Sequence, residues 1–337
     1  MTPRREALRA AEGNAEPRLV SLAELEQGQV SIAAASTSSR FAVIGAGRVG
    51  ASLALALCAQ GYTLSGFTSA TPAGRARAEG LLGRAATLHL PALVALRPEI
   101  YFICTPDSVV ADVAAELGAA LAAAGPQGPA APPVVVHTSG ATSVSVLAPC
   151  EKAGAAALVF HPLQTFPEPL TGATRFAGAG VALTPGPGRP DMAGEVGFRT
   201  ADDLGMRPFL LADDKRSLYH AAASVACNYL VTLEAIANDL FVRAGVPERV
   251  TFDLFLPLVR ATLDNVASRG PVDALTGPLS RGDAATIAAH LEALAEDAPA
   301  SLSVYRSLGE ATLGLVAARG DVSPAVIARM KELLTGL

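Results

Sequence analysis

Lysine is scarce in this chain. Lys152, Lys215 and Lys331 are the only lysines among 26 basic residues. A sequence that writes nearly every cation as arginine keeps lysine where a compact or deprotonatable amine is needed, which draws attention to Lys215. Net charge is −5 with no basic block, so no nucleic-acid partner is expected. No uninterrupted apolar run approaches the ~18 residues that span a bilayer, so no membrane segment is expected. Cys58, Cys104, Cys150 and Cys227 lie singly in apolar stretches without CxxC or metal-ligand spacing. They read as reduced core thiols of a cytoplasmic protein, with no metal site. Residues 1–39 lack the apolar core of a secretory signal and read as a flexible extension, with a short helix possible over 19–26. No internal repeat is visible.

What is present begins at Phe41-Ala42-Val43-Ile44. This buried strand runs into Gly45-Ala46-Gly47-Arg48-Val49-Gly50 and then an apolar helix. In that context Gly45 permits the tight turn, Gly47 lets the backbone approach a pyrophosphate, and Gly50 lets helix and strand pack closely. The amides at the helix N-terminus, Arg48 and Val49 among them, would receive the phosphates. The next strand ends in Thr68-Ser69, where an NAD-preferring site carries Asp or Glu. Hydroxyls with Arg48, Arg75 and Arg77 nearby suit a 2′-phosphate, so the expected cofactor is NADP(H).

From Arg40 strand and helix alternate, with strands expected at 41–45, 62–67, 86–89, 100–104, 133–137 and 156–160 and two more at 180–184 and 208–211. The fold class is therefore α/β, a doubly wound Rossmann domain over residues 40–212. After Ala212 the strand signal stops. A helix capped by Asp213 or Asp214 is expected to run unbroken to Ala244, followed by helices at about 248–268, 283–298, 300–318 and 323–335. Pro257 should kink or break the first of these. Residues 213–337 thus form a helical substrate and dimerisation domain, and a homodimer is expected.

The candidate chemistry gathers at strand ends. Thr105 and Pro106 follow one strand and are placed under the ribose-nicotinamide portion, with Asp107 capping the next helix. Two further strands deliver His137 and His161 at their C-terminal tips, the face where such sheets bind ligands. Ser139 and Gly140 offer a hydroxyl and amides to a substrate carboxylate. On the long helix His220, Ser224 and Asn228 fall on one stripe, with Lys215 and Tyr219 roughly 100–140° away. Polar groups aligned on an alanine-rich helix need partners, either a ligand or an oligomer seam. Arg281, in the glycine-rich loop before Asp283, is a candidate carboxylate clamp, although turn chemistry accounts for the loop equally well.

Taken together, Gly-x-Gly-x-x-Gly at 45–50, His-Thr-Ser-Gly at 137–140, His-Pro-Leu-Gln-Thr-Phe at 161–166, Lys-x-x-x-Tyr-His at 215–220 and Thr-Gly-Pro-x-x-Arg-Gly-Asp at 276–283 carry a resemblance. The set resembles bacterial Rossmann-like proteins with a helical C-terminal domain of unassigned function, often described as deazaflavin-dependent NADP oxidoreductase-like. Wider kin are the 6-phosphogluconate and 3-hydroxyisobutyrate dehydrogenases, ketopantoate reductases and pyrroline-5-carboxylate reductases. The resemblance implies a long helix facing the nicotinamide and carrying a catalytic Lys or an orienting Asn. The hydroxyacid dehydrogenases pair Lys with Asn one turn later, whereas Lys215 is followed there by Tyr219.

The expectation is an NADP(H)-dependent reductase of a small 2-oxo or 3-oxo carboxylate, ketopantoate-like. His220 or Lys215 would act as general acid and Asn228 would orient the substrate. Substrate contacts would come from His137, Ser139, His161, Ser224 and Arg281. An imine reductase and a non-catalytic NADP-binding sensor are the alternatives.

Overall fold

The computed structural model describes residues 39–83, 86, 89–125 and 131–336. The expected extension and its short helix lie outside these residues. The chain divides into two compact units after Ala223, and each is described by itself.

The first unit is built on a seven-stranded sheet of order β2-β1-β3-β4-β5-β6-β7. The strands are β1 (Arg40–Ile44), β2 (Thr63–Thr68), β3 (Ile100–Ile103), β4 (Val134–His137), β5 (Ala156–Leu163), β6 (Gly180–Pro185) and β7 (Arg207–Leu210). All neighbours are parallel except β5 and β6. Chain order reverses on either side of β1, so the loop after it opens at a topological switch point, where crevices form. Alternate residues feed two cores. Phe41, Val43, Phe67, Phe102 and Phe160 pack on one face, and Ala42, Ile44, Tyr101, Val135 and Val159 on the other. This period of two, apolar on both faces, is what a helix-covered parallel sheet requires.

Helices α1 (Arg48–Ala59), α2 (Pro72–Leu82), α3 (Leu90–Ala95), α4 (Val110–Ala124), α5 (Ala148–Lys152), α6 (Pro169–Ala173) and α7 (Pro190–Asp203) cover the faces, and α8 (Arg216–Ala226) follows β7. Of the strand expected at 86–89, only Ala86 and His89 are among the described residues, and neither is assigned to a strand. His89 instead caps α3, its Nδ1 accepting from Ala92 N at 3.3 Å. Asp107 makes no capping bond; a short 3₁₀ turn, Asp107–Val109, precedes α4. Burial pushes the Cys104 and Cys150 thiols up to about 12, which leaves them protonated and unreactive.

The long helix expected from 213 to 244 is not continuous. It begins as a 3₁₀ turn, Asp213–Lys215, and breaks at Cys227 (φ −120°, ψ −63°) before α9 (Asn228–Arg243). Asp213 does not cap it. Its carboxylate accepts instead from Ser143 Oγ at 2.5 Å and Val144 N at 2.9 Å in the loop after β4. That tether, with the contacts of Arg216 described below, is why the first unit extends past residue 212 to Ala223. By length and composition Asp213–Arg243 is also the one helical stretch among the described residues apolar enough to cross a membrane, with a window hydropathy of 1.3.

In the second unit α10 (Glu248–Ala274) carries Pro257 without interruption and breaks instead at Gly270 (φ 77°, ψ 165°), just before Pro271. Its neighbours α11 (Ala284–Asp297), α12 (Pro299–Arg319) and α13 (Pro324–Thr335) enclose a small core of Ile287, Leu291, Leu313, Met330 and Leu334. By contrast α9 buries no residue fully and α10 only Thr251 and Phe255.

A helix–helix contact in the first unit gives a test of this packing. A Cβ on Gly118 of α4 would stand 2.7 Å from the Pro149 carbonyl carbon of α5, and backbone cannot step aside cheaply. Gly118→Ala should lower stability by about 1–2 kcal/mol despite its better helix propensity, because overpacking outweighs that gain. Urea unfolding checks this. Coenzyme binding should be unchanged.

Candidate active site

The loop after β1 shows why its glycines stand where they do. Gly45 holds φ +92°, and a Cβ there would lie 2.9 Å from Thr105 Cγ2. A Cβ on Gly50 would run into the Gly45 carbonyl oxygen and Val43. Around Gly47 a Cβ would meet nothing within 4 Å. Gly47 is also the N-cap of α1 and brings no side chain to it. The first-turn amides of Arg48, Val49 and Gly50 are thus left uncapped, an anion-binding arrangement.

This turn borders a cavity of about 510 Å³. Gly45, Gly47, Arg48, Thr68, Ser69, Thr105 and Pro106 line it, whereas Val49 and Gly50 do not. The Thr68 hydroxyl is engaged, accepting from Gly45 N at 3.3 Å while the Thr68 carbonyl accepts from Ala46 N at 2.8 Å. Thr68 therefore ties β2 to the turn and leaves Ser69 as the freer hydroxyl. Arg77 lines the cavity; Arg75 turns back to the Ser69 carbonyl at 3.4 Å. Thr71, Gly74, His89, Glu116 and Pro169 also line it and were not picked out from the sequence. Thr71-Pro72 was the readable signal, an N-cap followed by proline at N1. The volume left open at Gly47 beside an uncapped helix of 12 residues fits a dinucleotide pyrophosphate, with Ser69 and Arg77 toward the far ribose.

At the C-terminal tips of β4 and β5 a second cluster forms. His161 accepts or donates at Nδ1 to the Tyr219 hydroxyl at 2.8 Å, and its ring lies 6.1 Å from that of His220. Between them sits Gly140, where a Cβ would meet His220 Cδ2 at 2.5 Å and His161 Nε2 at 2.8 Å. Beneath lies Arg216, 1% exposed. It donates from Nη1 to Thr184 Oγ1 at 2.9 Å and from Nη2 to the Ser139 carbonyl at 2.8 Å. Its Nε has no partner, and no carboxylate pairs with it among the described residues. Burial, then the Arg216 charge and the neighbouring His220, depress His161 to about 4. Burial raises the Tyr219 phenol.

Several expected substrate contacts are elsewhere. His137 is wholly enclosed, Nε2 bonded to the Ser143 carbonyl at 3.3 Å and Nδ1 without a partner, so it is a structural histidine. Burial first, then Arg216, holds it down to about 4. The Ser139 hydroxyl is spent on Thr142, donating to Oγ1 at 2.8 Å and accepting from its amide at 3.1 Å. Lys215 faces solvent and pairs with Asp214 at 3.0 Å, apart from the histidines. Ser224, Asn228 and Arg281 belong to the second unit. There the loop before Asp283 is shaped by turn chemistry: Arg319 donates to the carbonyls of Leu275 and Ser280, and Asp283 caps α11 through Thr286 N at 3.0 Å. Arg216 and Tyr219 were missed as partners of the histidines. Their signal was present in Lys-Arg-x-x-Tyr-His, but sequence spacing does not tell which stripe faces the sheet.

Comparison with known proteins agrees with this architecture. Residues 25–162 match a Rossmann-like domain, and residues 188–312 match a domain of unknown function, DUF2520. The chain carries a Rossmann-like domain followed by a DUF2520 domain. No curated protein matches the sequence. Among solved structures, a Bacteroides fragilis protein provisionally named an NADP oxidoreductase is 24% identical, with TM-score 0.62 over 81% of this chain and 97% of that one. A Thermotoga maritima protein is 18% identical, with TM-score 0.61 over 82% and 99%. The NADP-bound pyrroline carboxylate reductase of Plasmodium falciparum is 11% identical, with TM-score 0.54 over 88% and 98%. At these identities the likeness is one of fold.

The two buried histidines make a stability prediction for this Rossmann-like/DUF2520 chain. Both have folded pKa values near 4, below the unfolded ~6.5. The unfolded chain therefore binds more protons between those values. Their stabilisation is present in full above the unfolded pKa and is lost as pH falls toward 4. The expected slope is up to about 1.4 kcal/mol per pH unit for each histidine. Urea unfolding followed from pH 7 to 4.5 checks it, and His137→Gln should flatten the slope by up to one proton.

Proposed function

We propose that this protein is an NADP(H)-dependent reductase of a small oxo acid, a ketopantoate-like 2-oxo or 3-oxo carboxylate. The observation that carries the reading is the pairing of two features along one sheet edge. These are an uncapped helix N-terminus with open volume at Gly47, and a His161–His220 cluster near the C-terminal end of β5. The NADP-bound pyrroline carboxylate reductase of similar fold supports the cofactor class by analogy.

When bound, the dinucleotide supplies a hydride to the carbonyl carbon. The chain's own residues do the rest. The uncapped start of α1, with Gly47 and Arg48 lining the cavity, would hold the pyrophosphate, and Ser69 with Arg77 would receive the 2′-phosphate. His220, protonated, gives its proton to the carbonyl oxygen as that oxygen gains charge. His161 donates a hydrogen bond to the same oxygen. The buried Arg216 charge favours an anionic substrate and a developing oxyanion over a cationic imine. Lys215, paired with Asp214 at the surface, is not the donor in this reading. A second copy of the chain would cover the exposed apolar side chains of Tyr229, Val231, Leu254 and Leu258, giving a homodimer. The cysteines form no disulfide among the described residues, which suits a cytoplasmic setting.

Two experiments test it. NADPH should bind at least roughly tenfold more tightly than NADH, about 1.4 kcal/mol. Gly47→Val should abolish binding without loss of stability, and Ser69→Asp should shift preference toward NADH. Fluorescence titration reads all three, and equal affinities for both coenzymes in the parent protein would remove the 2′-phosphate site. For the chemistry, His220→Ala should lower kcat by roughly 10²–10⁴ with coenzyme affinity unchanged, the range for loss of a general acid. Lys215→Arg should keep near-parental activity. The reverse pattern would assign the proton to Lys215.

A further inference from the structure

The Tyr219 hydroxyl stands 2.8 Å from His161 Nδ1, with the rings edge-on at 90° and centroids 5.5 Å apart. Phe209 closes on the far side of Tyr219 at 6.0 Å, ring edge to ring face. A phenol has one proton to give, and this one has no other acceptor among the described residues. Either imidazole tautomer satisfies this contact; with the phenol as donor to Nδ1, the ring carries its own proton on Nε2. That Nε2 is directed at Gly140, 2.8 Å from the point a Cβ would occupy. It has no protein partner among the described residues, so its hydrogen is available to a ligand.

We propose that Tyr219 is a positioning residue that fixes His161 in its Nε2–H form, so that the recess over Gly140 offers a donor to an oxygen atom and disfavours a protonated imine. The inference rests on the oxo-acid reading and narrows it. A carbonyl oxygen accepts from Nε2–H, and the bond strengthens as hydride arrival makes that oxygen negative. A protonated imine would bring its own N–H against the Nε2–H and its positive charge toward Arg216, which no carboxylate pairs directly among the described residues, although Asp213 and Asp107 act on it from further away. The groups facing His161 keep it uncharged at neutral pH. Burial, Arg216 and His220 act against its protonation, and only Asp107 acts for it. The raised Tyr219 phenol retains the proton it donates.

The test is the ¹⁵N–¹H correlation spectrum of His161 in the full chain without ligand, assigned by its loss in His161→Gln. The parent protein should show Nε2 protonated and Nδ1 unprotonated between about pH 6 and 8. Tyr219→Phe should give a mixture of tautomers with an upward-shifted pKa. It should also lower kcat on an oxo acid roughly tenfold with KM for NADPH unchanged. A parent spectrum with the proton on Nδ1, a charged ring at pH 7, or an unaltered tautomer in Tyr219→Phe overturns the proposal. If Tyr219→Phe does not fold, the parent spectrum alone decides. Because the spectra need no substrate, a protein with the expected tautomer that reduces no oxo acid would overturn the reductase reading and leave the assignment of Tyr219 standing.

Discussion

The buried guanidinium of Arg216 is the contact on which the candidate site depends. It joins the loop after β4, through the Ser139 carbonyl, to β6, through Thr184, and does so from the first turn of α8. No carboxylate neutralises it among the described residues, and burying such a charge costs several kcal/mol that two hydrogen bonds offset only in part. The return on that cost is positional and electrostatic. The bonds set α8 against the strand tips, which brings Tyr219 and His220 to His161. Burial first, and that charge second, hold His137 and His161 neutral, and the charge favours anions nearby.

The cofactor end depends on a different constraint, the absence of side chains. Gly45 needs its positive φ, Gly50 needs contact with the Gly45 carbonyl, and Gly47 leaves a volume that nothing in the protein fills. Thr68 adds a bond that fixes the turn to β2. The two ends need opposite devices. A phosphate is held by backbone amides that a side chain would cover, whereas a carbonyl is held by side chains whose protons must be fixed in advance.

Much of this was legible in the sequence. The doubly wound sheet, the glycine turn and the helical C-terminal half follow from apolar periodicity and turn residues, which are local. His89, expected to end a strand, shows the limit, since it answers to a helix cap rather than to a ladder. The helix drawn unbroken from 213 breaks at Cys227, and the cap expected from Asp213 fails for a tertiary reason, because its carboxylate is taken by Ser143 and Val144. Likewise His137 and His161 look equivalent at two strand ends. Only the structure separates them, one sealed under the loop of Ser143 and the other facing Tyr219. The partners of Arg216 and Tyr219 lie 32 to 77 residues away in sequence, beyond what helical spacing can predict.

The measurement that tests the central claim most directly is isotope transfer. The protein would be incubated with NADPH deuterated at the nicotinamide C4 and with a panel of 2-oxo acids, 3-oxo acids and cyclic imines, and the products analysed by mass spectrometry. The account predicts one deuterium on the carbinol carbon of a hydroxy acid, lost in His220→Ala. Deuterium appearing only in a cyclic amine would contradict the oxygen-selective recess, and no transfer to any of the compounds would contradict the reductase itself.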